Sequence, residues 1–380
     1  SISWSIGLLL TAAYFAWMFY FQRGWMQIPI FEASNTVFTV DPPFVSILVP
    51  IRNEARQIEQ CLKSLQDQRY PASALEILVL DDHSTDTGPA IVQHFPLASI
   101  RYVNLAEQSA FADLQHKKRA LSIGVQWARG DYILTTDGDC RVPPDWVATM
   151  VGFLRKKDLV GVTGPVLLEG DPNAFEQFQV LDLMGMMQIT AAGSHYGSMH
   201  LANGANFAFR KDAFHAVGGY AAQAQFASGD DVFLMQQLAA QFPGRVAFLK
   251  SPSAIVRTGV EARLPDFVQQ RLRWATKNRS TPELPMLVAL TSVFFFSWAL
   301  LLVLPAGILL PGLVPLAVLM WAVKLGLDRR MLGQMAAFFE ARQAMRWFFP
   351  ASVLHVLYIS GIGLLANLKK RYRWKDRQVR

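Results

Sequence analysis

Three long stretches of the sequence carry no charged side chain, and they cover residues 1–22, 284–323 and 347–368. Since about 20 apolar residues cross the hydrocarbon core of a bilayer, each stretch is long enough to span a membrane. As a single helix, the 40 residues of the middle stretch would be roughly 60 Å long. Prolines and glycines near its centre predict instead a hairpin of two helices, so the pattern predicts four crossings in all.

The first apolar stretch is typical of either a signal peptide or an uncleaved anchor. It lacks a basic start and a small-residue cleavage site, and it continues directly into Arg23. We therefore expect a transmembrane anchor over 1–22. The carboxy-terminal transmembrane region is predicted over 284–368, with the hairpin at 284–323 and one further helix at 347–368.

Residues 41–283 have ordinary charge density and the length of one soluble domain. Their short apolar runs alternate between strand and helix periodicity, which predicts strands over 44–49, 76–80 and 132–136 and helices over 55–68 and 117–129. Strands alternating with helices indicate an α/β fold with a mostly parallel central sheet covered by helices. Because ligands of such sheets bind beyond the carboxyl ends of the strands, the residues that follow each strand are the candidates for function.

Composition narrows the class of protein further. The chain is 52% hydrophobic and 17% charged, and its two cysteines, Cys61 and Cys140, cannot form a disulfide framework. A reducing compartment fits this cysteine use. The net charge of +7 is concentrated in the basic tail, 369–380, which holds seven of the positive residues and one acid. A tail that follows a membrane segment favours lipid headgroups as its partner over nucleic acid.

Polar clusters follow three successive predicted strands. The first runs from Pro50 through Asn53 and Glu54, the second begins at Asp81, and the third contains Asp137 and Asp139. Any one cluster is explained equally well by turn and helix-cap residues, but that explanation is poor for all three together. Two carboxylates one residue apart, with Gly138 between them, are suited to a hard divalent cation and to the close approach of a phosphate.

Three further segments carry candidate chemistry. Lys117, with the two basic residues that follow it, is suited to phosphate oxygens, although a solvated helical turn explains the trio equally well. Asp230 and Asp231 open a predicted helix; capping explains one acid, and the other is a candidate general base. Gln270, Arg273 and Trp274 share one helix face before the first membrane arm, where an interfacial anchor helix is the alternative.

In this order, these segments resemble the membrane-bound glycosyltransferases of family 2, a group that contains cellulose, chitin, hyaluronan and poly-N-acetylglucosamine synthases and ceramide glucosyltransferase. The resemblance joins P-x-x-N-E at 50–54, D-D-x-S-T-D at 81–86, K-x-x-A-L at 117–121, D-x-D at 137–139, the acid pair at 230–231 and Q-x-x-R-W at 270–274. It implies a GT-A fold over 41–283 and an inverting, metal-dependent hexosyl transfer from a nucleotide-sugar, most often a UDP-sugar. The acceptor it implies is lipid-linked or a glycan.

The resemblance also assigns roles by position. Pro50, Asn53, Glu54 and Asp81 would line the nucleotide pocket, and Lys117 would lie near the diphosphate, which Asp137 and Asp139 would hold through Mg²⁺ or Mn²⁺. Asp231 would be the catalytic base, and Gln270, Arg273 and Trp274 would close over the diphosphate and acceptor. Asn203, Gly204, Asn206 and Asp230 would lie on the acceptor side, although a turn into a strand explains the Asn and Gly residues equally well.

Departures from the family pattern affect the choice of nucleotide and sugar more than the class of reaction. Arg52 replaces a common aromatic residue, His83 replaces the usual glycine, and Asp230 replaces the Glu or Thr-Glu often found before the base. Cys140 is expected to be a small buried residue without a role.

The membrane topology contains a conflict. With the catalytic domain in the cytoplasm, three later crossings would leave the basic tail outside, against the positive-inside rule. Either one arm of the hairpin or 347–368 only partly enters the bilayer, or the charge bias is overridden, and 324–346 is amphipathic enough to lie in the interface. We expect a multi-pass protein of the cell (inner) membrane with a cytoplasmic tail and one segment that does not span. Membrane partner subunits are compatible with this arrangement. An inert membrane scaffold that retains the fold is the alternative function, and the intact Asp139, Asp231 and Arg273 argue against it.

Overall fold

The computed structural model describes residues 2–32, 42–111, 114, 116–220, 230–280, 283–368, 372–374 and 377–379. The chain divides into two compact units. The sheet unit comprises Pro29–Leu167, His200–Gly259 and Lys375–Arg380. The helical unit comprises Ser1–Ile28, Leu168–Met199 and Val260–Trp374.

The strands are, in chain order, β1 (Val45–Ile51), β2 (Leu75–Asp81), β3 (Ile100–Asn104), β4 (Tyr132–Thr135), β5 (Gly161–Thr163), β6 (Val166–Glu169), β7 (Phe207–Arg210), β8 (Val246–Phe248), β9 (Val256–Gly259), β10 (Tyr372–Trp374) and β11 (Arg377–Val379). The helices are α1 (Ile2–Gln27), α2 (Ile58–Gln66), α3 (Gly88–His94), α4 (His116–Trp127), α5 (Trp146–Lys156), α6 (Ala174–Tyr196), α7 (Lys211–Ala216), α8 (Asp230–Gln241), α9 (Leu264–Ser280), α10 (Leu284–Leu309), α11 (Val314–Phe338) and α12 (Phe348–Leu368).

A seven-stranded sheet forms the centre of the sheet unit, in the order β3-β2-β1-β4-β7-β5-β8. β1 pairs in parallel with β2 and β4, and β2 pairs in parallel with β3. β7 runs antiparallel to both of its neighbours, β4 and β5, whereas β5 and β8 are parallel. The predicted mostly parallel sheet and the strands predicted from the first three apolar runs are confirmed.

Burial explains why these segments form strands and helices. β2 is buried along its whole length and β1 at all positions but one, which is typical of a parallel strand covered on both faces. α2 buries one face, with Ile58, Cys61 and Leu65 inward. α4 packs closely over the sheet at Gly124, where a Cβ atom would lie 2.7 Å from Leu80 Cδ1.

Among the residues that the structure describes, the helical unit contains four helices that are long and apolar enough to cross a membrane: Ile2–Gln27, Leu284–Leu309, Pro311–Phe338 and Arg342–Ala366. α1 packs against α6, α10 and α11, and α12 packs against α6, α9 and α10. The predicted hairpin is present, with its turn at Pro311–Leu313. α11 extends beyond the predicted end at 323 because the first charge of the next segment is neutralised within the helix: buried Lys324 donates to Asp328 at 2.6 Å.

The predicted domain, 41–283, is divided between the two units. Residues 168–199 and those after 260 group with the helical unit rather than with the sheet. α6 is thus a helix of the helical unit placed, in the sequence, between strands of the sheet unit. In the basic tail, β10 and β11 are described as strands, and the other residues of 369–380 lie outside the described residues.

Candidate active site

The loops that follow β1 and β2 are joined by several hydrogen bonds at the carboxyl end of the sheet. Arg52 Nη1 donates to the Asp82 carbonyl at 2.7 Å, and the Thr85 backbone N–H donates to Asn53 Oδ1 at 2.8 Å. The Asp82 backbone N–H donates to the Ile51 carbonyl at 2.9 Å. These bonds place Asn53, one of the predicted nucleotide-site residues, beside the loop that begins at Asp81.

Asp81 lies at the end of β2 with its carboxylate buried. Oδ2 accepts from the Tyr102 hydroxyl at 2.7 Å, and Oδ1 accepts from the Ser84 backbone N–H at 2.9 Å. Burial and the bond to Asp81 raise the pKa of Tyr102, so this phenol remains a donor. Tyr102 was not among the residues predicted from the sequence; it lies on β3, which pairs in parallel with β2 and so brings it beside Asp81.

Two residues of these loops have left-handed backbone conformations. Asn53 has a φ of 55° and His83 a φ of 60°. Asparagine and histidine adopt this conformation more often than most residues other than glycine, but both do so at some cost. The glycine that the family pattern has at position 83 would adopt it freely, so the departure seen in the sequence carries local backbone strain at this loop.

The turn after β4 packs directly against the loop after β1. A Cβ atom at Gly138 would lie 2.8 Å from Ile51 Cγ2 and 3.3 Å from Glu54 Cγ. Only glycine fits this close approach without displacing Ile51. Glu54 and the segment that begins at Pro50 therefore border the two aspartates that flank Gly138.

Asp137, Asp139 and Cys140 form a group in which one ligand atom of each lies within 4.8 Å of the others. Cys140 is buried, as expected, and its Sγ lies 3.4 Å from Asp139 Oδ1. Burial, with the nearby charges of Asp139 and Asp137, raises the pKa of the Cys140 thiol well above its usual range. Hard divalent cations prefer oxygen ligands, so the suited ligands in this group are the two carboxylates.

Lys117, near the start of α4, forms an ion pair with Asp137 Oδ1. Burial lowers the pKa of Lys117, but Asp137, Asp231 and Asp230 raise it by more, so the side chain stays charged. The two basic residues that follow it point elsewhere. Lys118 is buried, with its Nζ 5.2 Å from the centroid of the Phe233 ring, and Arg119 donates to backbone carbonyls of the preceding loop.

The reversed direction of β7 adds a further segment to the carboxyl edge of the sheet. Because β7 is antiparallel to β4, the segment that precedes β7 meets the carboxyl end of β4. Thr135 Oγ1 donates to the Gly204 carbonyl at 2.8 Å, and the Gly204 N–H donates to Asp231 Oδ2 at 2.8 Å. A Cβ atom at Gly204 would lie 3.1 Å from Lys117 Nζ. Lys117, Asp137, Gly204 and Asp231 are thus brought together.

Asp230 and Asp231 occupy the first turn of α8, as predicted, where the helix dipole favours negative charge. Asp231 Oδ1 accepts from the Val232 backbone N–H at 2.9 Å, while Oδ2 accepts from Gly204. Two backbone amides therefore orient this carboxylate. Asp230 is buried. The residues immediately before this pair, 221–229, lie outside the described residues.

Asn203 and Asn206, both predicted on the acceptor side, differ in their surroundings. Asn203 is half-buried, and its Oδ1 accepts from the Ala205 N–H at 3.1 Å. Asn206 is fully buried: its Oδ1 accepts from Trp146 Nε1 at 2.9 Å, and its Nδ2 donates to the Pro165 and Ala254 carbonyls at 2.8 and 2.7 Å. These bonds favour a structural role for Asn206, which anchors the turn that carries Gly204.

Replacing Asn206 with alanine should destabilise the sheet unit by about 3 kcal/mol, because three buried polar groups lose their partner at a cost of about 1–3 kcal/mol each, partly relieved by relaxation. Thermal unfolding of the purified protein in detergent measures this effect. Asn203→Ala is the matched control and should cost under about 1 kcal/mol, since its environment is partly solvated. Equal losses in the two variants would contradict the anchoring role of Asn206.

Gln270, Arg273 and Trp274 lie on α9, in the helical unit. Gln270 Nε2 donates to Glu261 Oε1 at 2.9 Å, and all three side chains are half-buried. Their predicted face is therefore present on a helix. Their role over the diphosphate and acceptor remains a prediction.

The fold and this edge of the sheet define the class of protein. A solved structure of similar fold is the mannosyltransferase PcManGT from Pyrobaculum calidifontis in complex with GDP-Man and Mn²⁺, with a TM-score of 0.58 and 21% identity over 97% of this chain and 100% of that chain. The sheet unit thus has a GT-A-like fold. Residues 46–218 match the family model of glycosyl transferase family 2.

Curated relatives agree with this assignment. Glycosyltransferase AglE of Haloferax volcanii is 28% identical over 180 residues, which are 47% of this chain and 56% of the relative. The beta-monoglucosyldiacylglycerol synthase of Nostoc is 28% identical over 186 residues, 47% and 38% of the two chains. An N-acetylglucosaminyltransferase of Rhizobium meliloti is 27% identical over 278 residues, 70% and 63%. The chain spans about half the length of the first of these relatives.

Proposed function

We propose that the protein is a membrane-bound inverting glycosyltransferase that moves a sugar from a nucleotide-sugar to a lipid-linked or polysaccharide acceptor. In the family that the sequence resembles, the donor is most often a UDP-sugar. One observation carries this proposal: a cation, Lys117, and two carboxylates, Asp137 and Asp231, are joined by direct contacts around Gly204 at the carboxyl edge of the sheet. Sugar transfer from a nucleotide needs both kinds of group, one to hold a diphosphate and one to accept a proton.

The nucleotide would bind to the loops after β1 and β2. Asn53 and Arg52 join these two loops by hydrogen bonds, and Asp81 is held by Tyr102 at their base. Pro50 and Glu54 border the same region. The Tyr102 hydroxyl and the Ser84 amide fix the orientation of the Asp81 carboxylate. Its remaining lone pairs could therefore accept a hydrogen bond from an N–H group of the nucleotide base.

The residues present fit a divalent cation. Asp137 and Asp139 would hold Mg²⁺ or Mn²⁺ by carboxylate oxygens, which these metals prefer over the sulfur of Cys140. Such a cation, when bound, neutralises charge on the leaving diphosphate. Lys117 would then contact diphosphate oxygens beside Asp137, as a second positive charge supplied by the chain itself.

Asp231 would act as the general base. Its carboxylate is oriented by the backbone amides of Gly204 and Val232. In an inverting transfer, Asp231 takes the proton of the acceptor hydroxyl while that oxygen attacks the anomeric carbon from the face opposite the leaving nucleotide. Glycine at position 204 would let the acceptor approach the backbone. Asn203 and Asp230 would border the acceptor.

The acceptor class rests on the membrane helices and on the relatives. The described part of the chain has four helices long and apolar enough to cross a bilayer, which would keep the enzyme beside lipid substrates. The name of the Nostoc relative gives a lipid product, whereas that of the Rhizobium meliloti relative gives only the sugar transferred. We propose that the protein lies in the cell (inner) membrane with its sheet unit in the cytoplasm. We also propose that Gln270, Arg273 and Trp274 close over the diphosphate and acceptor.

A donor panel tests this function. The full chain in detergent is incubated with UDP-, GDP- and dTDP-sugars and Mn²⁺, and release of the free nucleotide is measured before and after EDTA. We expect release from one class of donor, and its loss in EDTA. If no nucleotide-sugar is bound or hydrolysed in Mn²⁺, the inert scaffold becomes the better interpretation.

A further inference from the structure

The helical unit buries a charged residue that the proposed transfer does not use. The Arg271 side chain, on α9, is 0% exposed and pairs with Asp182 of α6 at a nitrogen–oxygen distance of 3.2 Å. Within the part of the chain that the structure describes, none of its three nitrogens makes a hydrogen bond of good geometry. A guanidinium carries five N–H donors, and burying them without acceptors is costly. Arg271 therefore has donors left for a further anion.

Three aromatic rings hold this guanidinium in place. Arg271 Cζ lies 4.1 Å from the centroid of the Trp274 ring, 4.9 Å from that of Phe267 and 5.8 Å from that of Tyr358. Ring faces stabilise the cation but do not accept its in-plane N–H groups. Burial raises the pKa of Asp182 and the charge of Arg271 lowers it by less, so Asp182 is a weak counter-ion.

Arg271 and Asp182 line a cavity of about 520 Å³ inside the helical unit. This volume is within the range of about 300–1,000 Å³ that is typical of small-molecule sites. Most of the wall is apolar, and it is built by side chains such as Met18, Phe178 and Phe294 from different helices. One charged end and a long apolar wall are the two parts of a site for an amphipathic ligand.

A second charged group on the wall, the carboxylate of Asp328, already has hydrogen-bond donors. Asp328 accepts from the Tyr14 hydroxyl and from Lys324 Nζ, and Lys324 Nζ lies 3.5 Å from His355 Nδ1. The carboxylate of Asp328 thus has two donors from within the unit. Arg271, by contrast, brings donors without a hydrogen-bond partner to the wall, and an anion would bind beside them.

We propose that this cavity binds a membrane lipid, with an anionic phosphate head on Arg271 and a hydrocarbon chain along the apolar wall. Phosphate oxygens match the planar fork of a guanidinium, and hydrocarbon matches the remaining surface. Polyprenyl phosphates and glycerophospholipids share this chemistry. The proposal concerns lipid binding by the helical unit and does not depend on sugar transfer by the sheet unit.

Photolabelling of the full chain in detergent tests the site. The probe is phosphatidic acid with a diazirine on one acyl chain, and diacylglycerol with the same label is the uncharged comparison. We expect phosphatidic acid to label peptides of α6, α10 or α12 about tenfold more than diacylglycerol does, because the phosphate gains charge-assisted hydrogen bonds. Arg271→Gln should reduce its labelling to the level of diacylglycerol. Arg330→Gln, a matched change at an exposed position of α11, should leave labelling unchanged.

A second pair of variants tests the apolar wall without removing a charge. Gly185 lines the cavity, and a Cβ atom there has its nearest contact at 3.7 Å, so Gly185→Leu should fill the space and abolish labelling by both probes. Gly326→Leu, at an exposed position of α11 where a Cβ meets nothing within 4 Å, is the control and should have no effect. Labelling that persists in Gly185→Leu would overturn the site.

Competition with the unmodified protein decides the outcome even if Arg271→Gln fails to fold. Unlabelled phosphatidic acid or a polyprenyl phosphate should displace the probe, and the better competitor identifies the source of the phosphate. Diacylglycerol and inorganic phosphate should not displace it at equal concentration. Equal labelling by the two probes, or equal competition by inorganic phosphate, would show that Arg271 and Asp182 only join α9 to α6.

Discussion

Replacing Asp231 with asparagine should lower the rate of sugar transfer about 10²–10⁴-fold, which is the usual contribution of a general base. Donor affinity should change little. The asparagine side chain has the same shape, and its single oxygen can still accept one of the two backbone N–H groups, from Gly204 or Val232, that orient the native carboxylate. Initial rates of nucleotide release with acceptor, and donor binding by calorimetry, separate the two effects.

Asp212→Asn is the matched control for this variant. Asp212 is exposed on α7 and pairs with Arg210, away from the residues that surround Gly204. Transfer by the control should equal that of the unmodified protein. A normal rate in Asp231→Asn would remove Asp231 as the base and direct attention to Asp230, its neighbour in the first turn of α8.

Replacing Asp139 with alanine should weaken donor binding as well as transfer. If Asp139 holds the cation, its loss should reduce Mn²⁺-dependent affinity for the donor about 100-fold or more, since even residues that only orient ligands contribute 10–100-fold. Equilibrium binding of the donor, with Mn²⁺ and then with EDTA, measures this. The residual affinity of the variant should equal that of the unmodified protein in EDTA.

Glu59→Ala is the control for the loss of an acidic side chain. Glu59 is on α2, where it is 55% exposed and pairs with Lys63. Donor binding should be unchanged. If Asp139→Ala and Asp231→Asn lose donor affinity equally, the two carboxylates do not have separate roles; if EDTA has no effect on the unmodified protein, the metal site is wrong.

Much of this architecture could be predicted from the sequence because its causes are local. Buried parallel strands appear as uninterrupted apolar runs, and β1, β2 and β4 lie where those runs are. Strand ends share one edge of a parallel sheet, which is why Asp81 and Asp137 were expected near each other. The apolar stretches likewise predicted helices long enough to cross a bilayer.

The missed features depend on partners that are distant in the sequence. Nothing local to β7 shows that it would insert in the opposite direction between β4 and β5, although this reversal is what brings Gly204 to the site. The burial of Asn206 depends on Trp146. Arg271 lies within 270–274, the segment for which an interfacial helix was the alternative, and only the three-dimensional structure shows that it pairs with Asp182 in the interior.

The position of α6 within the sequence has a consequence for synthesis of the protein. β5 pairs with β7 and β8, both of which follow α6 in the chain, and β4 also lacks its antiparallel neighbour until β7 is made. A nascent chain that ends at Met199 therefore holds β4 with one edge unpaired and β5 with no strand beside it. Unpaired edges of this kind can join other chains, so the growing polypeptide is most exposed to aggregation between translation of β4 and translation of β8.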